Sequence, residues 1–504
     1  MRFAKTRYSF QLIQNMRNRF EQQLQLGITP IEDTIISLKA KDSLTELLAA
    51  LLKIYKTPKY SNKIFTVLEK YISKGKKDTG RKGMNLWRIF VLSQVRLCKG
   101  LGYADLHDLA NNHLTLRSIL GAKTINSEFC HIEFEYQTIY DNISGLEGSM
   151  LKEINEIIVE FGHKKVFKKK EAVPLHLKSD SFVVESNVHF PTDYNLLWDC
   201  ARKCLDAILK FTQKYDNIAG WRKLADWRRE LKGLMRELGK ASSSGGKGKP
   251  ERVKKAAKKY LQKAIALNIK LKKALPVLPI ADMKELVSID MLEHFIPLID
   301  LHIDLITRRI LQGEKIPHEE KMFSVFETYT EWIKKGKKRP NVELGKKLNI
   351  TTDQFHLIID YQIMENEQDR DIAIELADRV LEKHTVKTWS FDKGYWNKDN
   401  KQILQLCIPQ VIMPKLGKKN NAEKEEESSK SFKKYRNLHS AVESNINELE
   451  HRGLDRCPDR GAKHFASYIG LGVCSYNLKK IGKCILDEER EELKRTKVQY
   501  KEAA

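Results

Sequence analysis

Several protein classes are excluded by what this 504-residue chain lacks. Cysteine is scarce: there are eight, and no two form a CxxC pair. Cys200 and Cys204 stand one helical turn apart, with Cys457 and His464 far beyond them, which is not the ligand spacing of a zinc site. Buried or idle thiols in a reducing cytosol are the expectation. Long apolar runs are also missing. Leu47–Leu52 and Phe465–Tyr476 fall well short of the roughly 18 residues needed to cross a bilayer. The opening Met1-Arg2-Phe3-Ala4-Lys5 has no apolar segment of a signal peptide. Acidic residues are the minority among charges, with 66 Asp and Glu against 90 Lys and Arg, a net charge of +24. Such an excess favours a polyanionic partner, because each phosphate neutralised releases counterions. Hydrophobic residues make up 41%, enough for a real core, and the length suggests about three domains at roughly 150 residues each.

Residues 1–170 read as a helical region. Leu44–Tyr55 and Ile64–Ile72 carry apolar residues at helical spacing, followed by the basic loop 76–82. A helix over about Met84–Cys98 stops at Gly100 and Gly102, and Tyr103–Asn111 and Thr115–Leu120 follow. Helix, glycine turn and helix are compatible with a DNA-reading helix-turn-helix, and equally with a bundle used only for packing. After the basic run 164–170 the period changes to two, and Leu175–Val188 is predicted as a strand. Helices resume at Leu205–Tyr215, Trp221–Leu238, Glu251–Lys273 and Ile289–Leu311, with a Ser/Gly link at 241–248. Strands are predicted at Phe323–Tyr329, Val342–Ile350, Phe355–Met364, Thr388–Phe391 and Gln410–Pro414, and helices at Asp369–His384 and Asn400–Leu406. The polar stretch 416–434 reads as a flexible loop, and 485–504 as a charged tail. The sum is a mixed α/β core, 171–198 plus 321–484, split after its first strand by a helical insertion at 199–320.

Three carboxylates are placed where sites form. Asp180 lies in an apolar strand and shares a face with Phe182 and Val184, where a charge is costly unless it binds a cation. Asp392 ends the strand Thr388–Phe391, facing a loop. Glu443 shares a helix face with His439, Asn447 and Glu450, and composition does not choose among Glu443, Glu448 and Glu450. Trp389 and Trp396 flank Asp392; a core role is expected, with stacking on an extruded base as the alternative. Lys334, Lys335, Lys337, Lys338 and Arg339 form a basic hairpin, suited to phosphate contacts or simply to solvent.

Three blocks in order resemble the DDE transposases of bacterial insertion sequences. Asp180-Ser181-Phe182-Val183-Val184-Glu185-Ser186-Asn187 through Asp193 resembles their first catalytic block, and Phe391-Asp392-Lys393-Gly394-Tyr395 with Asn400 the second. Ala441-Val442-Glu443-Ser444-Asn445-Ile446, leading to Gly453-Leu454-Asp455-Arg456-Cys457, Gly461 and Asn477-Leu478, resembles the third. The chain resembles the ISNCY type, and residues 81–120 are similar to an InsH-like helical N-terminal region.

That resemblance implies an RNase-H-like catalytic core, interrupted by the helical insertion and preceded by an all-α N-terminal domain. It implies Asp180, Asp392 and Glu443 as catalytic metal ligands, holding Mg²⁺ or Mn²⁺, two ions in all. It further implies double-stranded DNA partners, terminal inverted repeats and target, met by a homodimer in the bacterial cytoplasm, associated with the nucleoid. The Tyr, Arg and Lys signature that some relatives carry around the glutamate is replaced here by Arg436, His439 and Glu450, so phosphate contacts there fall to Arg436 or His439. The alternatives are a DNA-binding repressor derived from a transposase, and a nuclease that cuts without joining.

Overall fold

A computed structural model describes residues 18–20, 28–72, 83–123, 133–169, 173–215, 218, 220–334 and 341–502. The chain divides into two compact units, residues 1–187 with 345–504, and residues 188–344.

Among the described residues the first unit opens with the α-helices α1 (Ser43–Tyr55), α2 (Pro58–Ile72), α3 (Leu86–Cys98), α4 (Tyr103–Asn112), α5 (Leu114–Ile119), α6 (Tyr136–Ser144) and α7 (Gly148–Phe161). Strand β1 (Leu175–Ser186) follows. The second unit contains α8 (Asp193–Lys214), α9 (Leu224–Ser243), α10 (Lys249–Ala274), α11 (Met283–Ile306) and β2 (Glu331–Lys334). The chain continues with β3 (Val342–Thr352), β4 (Ile358–Ile363), α12 (Asp369–Leu381), β5 (Val386–Phe391), α13 (Lys398–Cys407) and β6 (Gln410–Ile412). It ends with α14 (Asn421–Ser428), α15 (Lys430–Leu449), β7 (Arg456–Cys457) and the long α16 (Ala462–Glu502). The mixed α/β expectation is met.

The sheet has β1 at its centre. β3 pairs antiparallel with β1, and β4 antiparallel with β3. On the other side β5 runs parallel to β1, and β6 parallel to β5. The short β7 runs parallel to the end of β1, matching Glu185 with Arg456. Both faces of β1 are covered, so Leu175, Leu177, Phe182, Val183 and Val184 are all buried.

The N-terminal helices form no domain of their own: they lie in the same compact unit as the sheet, packed on α16. At Gly482 of α16 a Cβ would stand within covalent distance of the Glu46 carbonyl of α1, so only glycine allows that approach. Buried amides complete the join. Asn477 of α16 accepts from the Ile358 backbone N–H at 2.8 Å, and donates to the Ile358 carbonyl at 2.9 Å and to Asn155 of α7 at 2.8 Å. Asn477 is thus a structural member of the third sequence block.

The packing favours the bundle alternative for 84–120. Leu86 through Cys98, all but Arg88, are buried, so α3 is a core helix. Helix α4 exposes acidic groups and carries no Lys or Arg. The one cation of α5, Arg117, is buried and donates to the carbonyls of Lys123 and Asn111. A groove reader needs exposed donors for phosphates and base edges.

Four boundaries differ from expectation. Helical material starts before residue 199, because Thr192 caps α8 by accepting from the Asn195 N–H. Residues 323–329 are turns, not a strand: the Ser324 hydroxyl accepts from the backbone N–H of Phe326 and Glu327. The stretch 416–434 is largely helical. Asn420 and Glu423 form a capping box, and Lys415–Glu423 and Lys419–Glu427 pair the charges whose density suggests disorder. Residues 485–502 continue α16; Ile485 and Leu486 are buried and Arg490 donates to the carbonyls of Leu38 and Ala40. Among the described residues no helix is long and apolar enough to cross a membrane.

Candidate active site

The register of two parallel strands brings the first two acids together. Ser179 of β1 pairs with Phe391 of β5, so Asp180 and Asp392 are the next residues along neighbouring strands. Asp392 also caps the short helical turn 393–395, its carboxylate lying 3.5 Å from the Gly394 N–H. A Cβ at Gly394 would meet a carboxylate oxygen of Asp369 at 2.9 Å, so a larger residue there would displace that side chain.

Helix α15 delivers the third acid along the seam between β1 and β5. Tyr435, His439 and Glu443 recur every four residues and so share one face. Tyr435 stacks on His176 of β1 with ring centroids 5.8 Å apart. One turn on, the His439 Nδ1 lies 3.0 Å from the Ser390 hydroxyl of β5. Another turn on, Glu443 lines a cavity of about 510 Å³ with Asp392, Lys393, Arg436, Asn437 and His439.

Electrostatics ties the acids into one site. Burial pushes the Asp180 carboxyl up to about 7, and the negative charges of Asp392, Asp369 and Glu443 add to the rise, against one opposing hydrogen bond from the Ser181 N–H. The chemistry of this set fits a divalent cation, which would offset both the burial and the repulsion that raise Asp180. The geometry is open: among the described residues, no three His, Cys, Asp or Glu side chains enclose a metal-sized point.

The packing distinguishes the glutamates that composition left equal. Glu448 is engaged by Lys479 and by Lys480 at 2.8 Å, with Arg452 at 3.5 Å, and these cations hold its carboxyl down at about 2. Its role is to fasten α15 to α16. Glu450 begins the wide turn 450–454 and does not line the cavity. Glu443 is exposed to the cavity.

Asp369 carries no comparable signal in the sequence. It lies in the first turn of α12, accepts from the Ser181 hydroxyl, and has the Lys347 ammonium 3.6 Å away. Its sequence neighbourhood, with Glu367 and Asp371, looks like ordinary helix-start acids. His439 is held neutral: burial and the nearby Lys178 lower it to about 4 against the pull of Asp392. Its Nδ1 and the Ser390 hydroxyl lie 3.0 Å apart, while Nε2 is buried without a hydrogen-bond partner. His439 therefore offers no positive charge to a phosphate at neutral pH. Arg436 is exposed on the cavity rim, 3.9 Å from Glu427. Trp389 is fully buried and donates its indole N–H to Ser179, which settles it in the core, while Trp396 is half-buried with the Lys415 ammonium over its ring. Of the basic hairpin only Lys334 lies within the described residues, at the exposed end of β2; Lys335, Lys337, Lys338 and Arg339 lie outside them. No protein-family model, curated protein or solved structure matches this chain.

Proposed function

We propose that this chain is a DDE-type transposase, cutting and joining DNA at Asp180, Asp392 and Glu443. One observation carries the reading: the register of β1 and β5 sets Asp180 beside Asp392, Glu443 of α15 lines one cavity with Asp392, and burial together with the charges of these acids raises Asp180 to about 7. Support also comes from the sheet. Three antiparallel strands with the first at the centre, then two more parallel to it, is the order of an RNase-H-like core.

Asp180, Asp392 and Glu443 would hold Mg²⁺ or Mn²⁺, which supply an activated nucleophile and charge neutralisation at the leaving oxygen. The chain's own contribution is placement. β1 and β5 fix two carboxylates by backbone register, and the Tyr435–His176 and His439–Ser390 contacts set the rotation of α15 that aims Glu443. Asp369 holds Ser181 and adds negative charge that strengthens the site's demand for cations.

DNA affinity is assigned to α10. It carries ten Lys or Arg against a single acid, Glu251. Lys254, Lys255 and Lys258 lie beside the buried stripe of Ala256, Ala257, Tyr260 and Leu261, so their charged ends are left for solvent or phosphate.

The test is a cleavage and strand-transfer assay on DNA carrying the inverted repeats that flank the gene. Cleavage with joining in Mg²⁺, lost in Asp392→Ala, supports a transposase. Cutting without joining indicates the nuclease alternative, and binding with neither indicates a repressor.

A further inference from the structure

Helix α14 is acidic in a basic chain. It carries four glutamates against one lysine, in a protein of net charge +24. None of its residues is buried, so it adds nothing to the core. A helix this short is not stable in water by itself. What holds α14 is its capping box together with ion pairs to neighbouring segments. Glu426 meets Lys401 of α13 at 2.6 Å, and Glu423 meets Lys415 at 2.7 Å. Glu427 meets Lys419 at 2.5 Å, with Arg436 of α15 3.9 Å away, and accepts from the Lys415 backbone N–H at 3.0 Å.

These cations start at the carboxylate site. Arg436 and Pro414, the residue before Lys415, line the cavity shared by Asp392 and Glu443. The Lys415 ammonium lies 5.3 Å over the ring of Trp396, four residues past Asp392. A row of cationic side chains leading away from a phosphoryl-transfer site suits a nucleic-acid backbone. Here carboxylates fill it. Solvent-facing pairs of this kind are individually weak and screened by salt, so they seat α14 without locking it. A duplex offers the same groups a far denser line of negative charge.

We propose that α14 is an autoinhibitory strap: its glutamates occupy Lys401, Lys415, Lys419 and Arg436 in the free protein, and DNA phosphates displace it to reach them. The inference rests on the reading of the chain as a DNA-cutting enzyme and adds a control on when the carboxylate site receives its substrate.

The experiment uses the full chain and a paired duplex in buffer without divalent metal. Glu423→Gln with Glu426→Gln and Glu427→Gln should tighten duplex binding by about tenfold at low salt, since the row is then free for phosphates. The control, Glu489→Gln with Glu491→Gln and Glu492→Gln, makes the same charge change at exposed acids of α16 and should alter affinity by less than about twofold. Hydrogen exchange of the unmodified chain gives a second reading that needs no variant: amides of 421–428 should exchange faster once duplex is bound. Affinity that is unchanged or weakened in the α14 variant, equal tightening in the control, or exchange at 421–428 that stays the same or slows on binding overturns the strap. Cleavage of the duplex in Mg²⁺ is measured in parallel. If the unmodified chain cuts while any of those results is found, only this inference fails; if no form binds or cuts duplex, the enzymatic reading fails first and takes the strap with it.

Discussion

In the sheet-bearing unit, charged and polar groups turn inward and meet partners. Arg96, buried in α3, grips Asp459 through two hydrogen bonds of 2.9 and 2.7 Å, Glu448 sits among three cations, and Asn477 joins α7, β4 and α16. In the helical unit the interior is largely apolar, built from residues such as Leu197, Phe211, Leu231, Leu267 and Ile299, and most charges stay outside, with Asp199, Glu285 and Glu327 as buried exceptions. The difference is one of purpose. Inward charges with fixed partners define directions, which a phosphoryl-transfer site needs within a fraction of an ångström. Outward charges on long side chains give affinity for a polyanion without demanding one geometry.

That contrast is sharpest at the carboxylates. On the proposed reading, Asp392→Ala and Glu443→Ala should each lower DNA cleavage in Mg²⁺ by at least about a thousandfold, since each removes a charge that would position a cation. Duplex affinity should change by less than about twofold, measured by anisotropy at one stated salt concentration. Cleavage retained in Glu443→Ala would remove α15 from the site and leave its four-residue face without a function.

Glu448→Ala probes an acid of the same helix that serves structure alone. Removing it leaves part-buried Lys480 without this partner and Lys479 with only Glu46 at 3.8 Å, at a cost on the order of 1–3 kcal/mol. The expected outcome is a lower unfolding midpoint in denaturant, with cleavage per folded molecule unchanged. A loss of cleavage with unaltered stability would exchange the roles of Glu443 and Glu448.

On the helical unit, Lys254→Gln with Lys255→Gln and Lys258→Gln should weaken duplex binding by about tenfold at low salt. The slope of log affinity against log salt should fall by up to about 2.7, at roughly 0.9 for each phosphate no longer neutralised. An unchanged slope would mean that α10 faces solvent and that DNA is held elsewhere.

How much of this was legible in the sequence depends on range. Period-two alternation and an acid inside an apolar run marked Asp180, because burial of a carboxylate is a local signal. Asp392 was legible for a different reason, since it ends an apolar strand and faces a loop. Asp369 was not, since acids at a helix start are common and only the fold brings this one to Ser181. Nor could Glu443 be separated from Glu448, because the distinguishing partners, Lys479 and Lys480, come from a different helix. The 416–434 stretch reads wrongly as a loop because polar composition resembles disorder until its ion pairs are known. The N-terminal helices read as a domain of their own because nothing local announces the contact between Gly482 and Glu46.

The smallest expected effect lies at a buried imidazole of the helical unit. His302 of α11 is fully buried in that unit, and neither ring nitrogen has a hydrogen-bond partner. A neutral imidazole always carries one N–H, so at least one donor there is buried without an acceptor, at a cost of about 1–3 kcal/mol. Burial pushes His302 down to about 4, although the negative charges of Asp193 and Asp199 pull the other way. Its ordinary value is near 6.5. For a depressed value the sign is fixed: the neutral form belongs to the folded state, so its contribution is present above about 6.5 and is lost as pH falls towards about 4. His302→Leu keeps a similar volume, removes the unsatisfied donor and removes the titration. Unfolding followed by circular dichroism should show the variant more stable by about 1 kcal/mol at pH 7, with a larger advantage at pH 5. If the variant is instead less stable at both values, the imidazole has a partner in solution, and the apolar interior of this unit is less strict than its packing indicates.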